Sequence, residues 1–211
     1  TTNGGDTFTT TNVSVDQWNR MKAVAGAENV KARSARAVIK LPDPWPADAP
    51  APVDSNAPGR YIVALGGDSR HFIYTLDQGA TEWKDWINED KAVGGGYATR
   101  NIVEYSKQNP NIVYAGPSVS LDGGKTWGIT TSAVNPSDMA NSSEILAVSH
   151  IDGNTVYAIP RDTTVTPNVY WIYRSKTNGL GTDWEKIYTA PYMLRNMATI
   201  GIVSVDPQSD E

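Results

Sequence analysis

Apolar and polar residues alternate in short runs along most of this chain, which predicts β-strands rather than helices. The clearest pair is Asn101–Tyr105 and Asn111–Gly116, which reads NIVEY and NIVYAG around a polar turn. Glu144–Ser149 and Thr155–Ile159 repeat that arrangement around Ile151-Asp152-Gly153-Asn154, and Thr199–Pro207 begins it again. Each complete unit runs strand, polar turn, strand, loop, strand, tight turn, strand. Short connections between alternating segments predict antiparallel pairing. A unit of this length that recurs along a chain predicts a repeat architecture.

Two segments break the alternation. Val15–Val38 carries Trp18, Met21, Val24 and an Ala-rich stretch, and has room for one short helix. The stretch 41–58 reads LPDPWPADAPAPVDSNAP. Its proline density forbids a regular strand or helix, so it is expected to be an extended loop between two strands. Trp45 within it is expected to anchor that loop.

The tight turns share a string. Ser120-Leu121-Asp122-Gly123-Gly124-Lys125-Thr126-Trp127 reads S-x-D-x-G-x-T-W. Asp-Gly-Gly is a turn signal. The carboxylate can accept from amides of its own turn, Gly124 can take a positive φ, and Trp127 brings a large apolar anchor. Thr75, Asp77, Gly79 and Trp83 follow the same order with one extra residue before the tryptophan. Ser175, Gly179 and Trp184 keep the frame, with Thr177 where the aspartate belongs. Thr1–Phe8 fits with Asn3 for Asp and Phe8 for Trp.

Composition narrows the function. The 211 residues include 18 Lys+Arg against 23 Asp+Glu, for a net charge of -5. No basic footprint for nucleic acid or an anionic membrane is present. With no Cys and only two His, thiolate and His-rich metal centres are not expected, nor is any cofactor. No apolar run is long enough to span a bilayer.

The string at Ser120–Trp127, together with Asn109–Gly116, resembles the Asp-box (BNR) repeats of β-propellers. Similar repeats occur in xyloglucanase-type glycoside hydrolases, sortilin-like receptors and sialidase-like proteins. The resemblance implies an all-β propeller with four-stranded antiparallel blades. The expected units are 1–34 (partial), 35–88, 99–131, 143–189 and 199–211 (partial), with 41–58 as a loop insertion. These make about three and a half blades where a closed ring takes about 4–8. Other blades or protein subunits are therefore expected to complete it. In these families the Asp-box lies between the third and fourth strands, remote from the active face. Asp77 and Asp122, and the turn residues with them (Thr75, Gly79, Trp83, Ser120, Gly124, Thr126, Trp127, Ser175, Gly179, Trp184), are accordingly read as structural.

The opposite loops hold the candidate substrate face. Asp68, Asp90, Arg100, Asp138, Arg161, Asp162, Tyr192 and Arg195 fall in them, with Arg70, His71, Glu89 and Tyr97 as neighbours. Carboxylates and aromatic rings on one face suit a sugar-binding or sugar-cleaving groove. A sialidase would need an arginine clamp and an Arg-Ile-Pro string, and that string is absent. No phosphate-cradling loop or G-x-S-x-G elbow occurs. The expected function is a secreted, cell-surface or virion propeller that engages a glycan, as a hydrolase or as a binder. The alternative is a non-catalytic structural or protein-interaction propeller.

Overall fold

The computed structural model describes residues 35–65, 72–80, 84–87, 103–131, 133, 145–158, 161–162 and 169–189. These residues form strands and loops, with no helix among them. The first sheet holds β1 (Ala35–Lys40), β2 (Tyr61–Leu65), β3 (Phe72–Leu76) and β4 (Lys84–Ile87) in sequence order. The middle sheet holds β5 (Val103–Tyr105), β6 (Val113–Ala115), β7 (Ser118–Ser120) and β8 (Gly128–Ile129), again in order. The third sheet is built from β9 (Ile145–Val148), β10 (Val156–Ala158), β11 (Arg161–Asp162), β12 (Val169–Ser175) and β13 (Glu185–Thr189). Every strand pair is antiparallel.

β10 and β11 act as one strand of the third sheet. Ala158 lies opposite Tyr173 and Arg161 opposite Tyr170, three residues on in one direction and three back in the other. β13 takes the other side of β12, with Lys186 also opposite Tyr173. All three sheets are thus four-position antiparallel meanders.

The sheets also share a register. Their inner hairpins close on the pairs Lys40–Tyr61, Tyr105–Val113 and Val148–Val156. One backbone bond follows each pair: Leu41 N–H to Arg60 C=O, Ser106 to Ile112, and Ser149 to Thr155. The third-strand partners of Tyr61, Val113 and Val156 are Leu76, Ser120 and Ser175.

The sheets stack face to face. Ile62, Ala64 and Ile73 of the first sheet pack against Val103, Val113 and Ala115 of the middle one. Tyr114 and Val119, on the opposite face of the middle sheet, pack with Ile145, Val148 and Val156 of the third. The period-two alternation of a strand sends Val113 one way and Tyr114 the other. With both faces covered, β6 is buried throughout, as strands between two layers are. Each buried valine or isoleucine among them contributes about 1.5–3 kcal/mol from burial.

The stretch between β1 and β2 is a loop, as its prolines dictate. Leu41 and Ala57 are buried in the first core, and Trp45 packs against it. The indole N–H of Trp45 donates to Pro50 C=O at 2.8 Å. Asn111 of the middle sheet fastens the loop tip. Its side-chain oxygen accepts from Val53 N–H at 2.8 Å and its amide donates to Ala51 C=O at 2.9 Å. The expected helix at Val15–Val38 lies outside the described residues up to residue 34. Ala35–Val38 belong to strand β1 instead, where Ala37 and Ile39 turn their side chains onto the first core.

Candidate functional site

The turns that join third to fourth strands lie at one end of the stack, and chemistry-bearing side chains gather there. In the middle sheet the turn is built around Asp122. Its Oδ1 accepts from Lys125 N–H at 3.1 Å, Thr126 N–H at 2.8 Å and the Ser120 hydroxyl at 2.8 Å. Its Oδ2 accepts from the Thr126 hydroxyl at 2.6 Å. Ser120 Oγ in turn accepts from Gly124 N–H at 2.8 Å. Gly123 and Gly124 have φ of 69° and 86°, conformations that favour glycine. Burial works to raise the Asp122 pKa, but the hydrogen bonds from Thr126, Ser120 and Lys125 outweigh it and hold the carboxyl below the usual range.

The third sheet builds the same turn with its carboxylate on the other limb. Gly179 N–H donates to Ser175 Oγ at 3.1 Å, and φ is 58° at Asn178 and 72° at Gly179. Thr177 stands at the aspartate position and accepts only one turn amide, from Gly181, at 3.1 Å. The missing carboxylate is supplied by Asp183. It accepts from the Ser175 hydroxyl at 2.9 Å, the Thr177 hydroxyl at 2.6 Å and Lys176 N–H at 2.7 Å. Burial of Asp183 is again outweighed by hydrogen bonds, from Thr177, Lys176 and Ser175, and its pKa is lowered. Sequence reading missed Asp183. The signal was an aspartate directly before the turn tryptophan in the copy that lacks its own.

The first sheet departs from this pattern. The ladder puts Leu76, not Thr75, at the position of Ser120. The string Thr75-x-Asp77-x-Gly79 is therefore one residue out of step with the other two. Among the described residues, Asp77 pairs with Arg60 and Lys84. Arg60, only 2% exposed, is the hub of a clamp between the first two sheets. Its Nε donates to Asp77 Oδ1 and its Nη2 to Asp54 Oδ2, both at 2.6 Å. Its Nη1 donates to Gly123 C=O, in the middle sheet's turn, at 2.9 Å. Arg60 too was missed, because its partners lie far apart in sequence.

Asp54, Asn56, Arg60, Thr75, Lys84, Gly124 and Lys125 line a cleft of about 240 Å³ at this clamp. Burial pushes the Asp54 and Asp77 pKa values up. The bonds and charges of Arg60, with Lys84 at Asp77, and with Asn56 N–H and Lys125 at Asp54, bring both net below the usual range. A general acid needs the opposite shift. The cleft is therefore an ionic fastening in which each guanidinium nitrogen has a partner.

No family model and no curated protein matches this chain. The site residues expected from sequence are accordingly judged by position alone. Arg161 and Asp162 form β11, at the end of the third sheet away from the turns. Asp68, Asp90, Arg100, Asp138, Tyr192 and Arg195 lie outside the described residues, as does Trp83 of the turn set. Two further carboxyls are perturbed: burial raises the pKa of Glu104 on β5, against the opposing charges of His150 and Lys107, and the hydrogen bond and charge of Arg174 lower that of Glu185 on β13. Among the described residues no cluster of three or more His, Asp or Glu could hold a metal ion.

Proposed function

We propose that this chain is a run of blades from an Asp-box β-propeller, secreted or surface-borne, that engages a glycan at the end of its sheets away from the turns. One observation carries the propeller part. The turns at Ser120 and Ser175 occupy the same ladder position and carry the same serine-to-glycine bond in successive stacked sheets. The glycan part is supported by the repeat resemblance and by the position of Arg161 and Asp162 on β11, at the far end of the third sheet. Glycoside hydrolysis would need a second carboxylate, about 5–5.5 Å away for retention or 6.5–9.5 Å for inversion.

Glycan-array binding and polysaccharide hydrolysis test this reading. Arg161→Ala and Asp162→Asn should each weaken glycan binding about tenfold, or 1.4 kcal/mol. A folded chain that neither binds nor cleaves any glycan would overturn it. The alternative, a non-catalytic structural or protein-interaction propeller, is favoured by the cleft at Arg60, whose buried cation is spent on holding sheets together.

A further inference from the structure

The shared register lets the two interfaces be compared place by place. Arg60 directly precedes Tyr61, and Ile112 directly precedes Val113, its ladder equivalent. Thr75 and Val119 likewise precede Leu76 and Ser120, and Lys84 and Gly128 lie opposite them. Lys125 stands in the middle turn where Leu180 stands in the third, each at the same distance from its turn serine. At the second interface Ile112, Val119 and Leu180 pack into one core. A methyl group built on Gly128 would meet Leu180 at 3.6 Å. At the first interface the same places hold Arg60, Thr75, Lys84 and Lys125, and the cleft of about 240 Å³ lies among them. The stacking of sheets thus does not by itself demand polar groups here.

The fastening does not use all of these groups either. Arg60 and Lys84 are bonded to carboxylates. Among the described residues the Lys125 ammonium has no ion pair, and the hydroxyl of Thr75, a residue only 6% exposed, has no hydrogen-bond partner. Both residues line the cleft. Asp54 and Asp77 are set against three cations, Arg60, Lys84 and Lys125, so the cleft is positive within a chain of net charge -5. A concave positive site concentrates anions.

We propose that this cleft binds a tetrahedral oxyanion, a phosphate or sulfate group, held between the first two sheets. The planar fork of Arg60, which suits a carboxylate, is already engaged by Asp77, Asp54 and Gly123. What remains is the Lys125 ammonium, the Thr75 hydroxyl and the Asn56 side-chain amide, point donors that can each take one oxygen. Lys84 brings a second ammonium, from the first sheet.

The test is calorimetric titration of the full chain at constant ionic strength, with chloride as the balancing ion. The probes are inorganic phosphate, inorganic sulfate, glycerol phosphate and acetate. One saturable site for phosphate or sulfate is expected, with acetate at least tenfold weaker. Tighter binding of glycerol phosphate than of inorganic phosphate assigns the cleft to an ester-borne group, and any other order assigns it to the free ion. Lys125→Gln and Thr75→Val should each weaken binding about tenfold, as loss of a hydrogen bond to a charged group does. Lys125→Leu, which copies the third turn, should abolish it. Thr75→Val copies Val119 and Lys125 is exposed, so circular dichroism should be unchanged in all three. Lys176→Gln, in the third sheet's turn, should leave binding intact. No saturable site, acetate bound as tightly as the oxyanions, or a Lys125→Gln effect no larger than that of Lys176→Gln would overturn the proposal. The glycan reading concerns the other end of the sheets and is decided separately.

Discussion

The turn of the middle sheet and that of the third reach one geometry by different routes. Both hang a glycine amide on a serine hydroxyl and both use two residues of positive φ. In one the carboxylate comes from Asp122, two residues after the serine. In the other it comes from Asp183, eight residues after it, while Thr177 keeps the empty place. The requirement is thus an ionised carboxylate at the serine hydroxyl, and either limb of the turn can deliver it. The bridges that reach these turns differ as well. Arg60 reaches the middle turn through Gly123 C=O. The Tyr114 hydroxyl reaches the third turn, its one proton shared between Asn178 Oδ1 at 2.8 Å and Gly153 C=O at 2.9 Å. One interface is fastened by ions and the other by neutral groups, the Tyr114 phenol together with Thr131, which bonds Gly179, Gly181 and the Trp184 indole.

Breaking the bridges should give the largest effects. Arg60→Met strands two carboxylates at the first interface and should cost about 3–5 kcal/mol, as removal of one partner of a buried pair does. Tyr114→Phe should cost about 1–3 kcal/mol, the range for stranded buried acceptors. Urea melts of the two variants compare the fastenings directly, and equal losses would erase the distinction.

The turns come next. Asp122→Ala and Asp183→Ala should each cost about 1–3 kcal/mol by leaving turn donors unmet. Thr177→Asp puts a second carboxylate beside Asp183 and should destabilise the chain. The double variant Thr177→Asp with Asp183→Asn should recover most of that loss if the two limbs are interchangeable. A double-mutant cycle measures the coupling, and simple additivity would show that they are not.

Acid separates the two interfaces further. Asp54, Asp77, Asp122 and Asp183 are all held below their unfolded pKa values. Over the interval between folded and unfolded values the unfolded chain binds more protons. Stability is therefore complete above roughly pH 4 and is lost as pH falls through the folded values. In Arg60→Met part of this acid sensitivity should disappear, because the shift of Asp54, and part of that of Asp77 beside Lys84, depend on the guanidinium. An unchanged pH profile would place the sensitivity in the turns alone.

The smallest effect expected is at Gly79. Its φ of 82° alone should make Gly79→Ala cost about 1–2 kcal/mol. Gly124→Ala adds a 2.9 Å approach to Ile62 of the first sheet and should cost more. Equal costs would mean that the first sheet yields freely at that contact.

The strands were legible because each is a short apolar run bounded by polar turns, continuous where both faces of a sheet are covered. Ile112, Val113, Tyr114 and Ala115 advertise both cores of the middle sheet in four consecutive letters. The turn of the middle sheet was legible because all its chemistry is local. The first sheet misled for the same reason. Thr75 to Gly79 matches the string letter for letter, but the ladder with β2, set by the Lys40–Tyr61 pair, decides which residue stands at the turn. Arg60 and Asp183 went unread because their partners come together only once strands are paired and stacked. Of the residues expected on a substrate face, Arg161 and Asp162 alone fall within the described strands.

The stacking also governs how the molecule comes apart. Cohesion between sheets runs through the two cores, the first shared by the first and middle sheets and the second by the middle and third. Such an array behaves as coupled units, and the middle sheet is coupled to a described neighbour on each face. The hairpin Val103–Ala115, held from both sides, acts as the keystone around which local opening is organised.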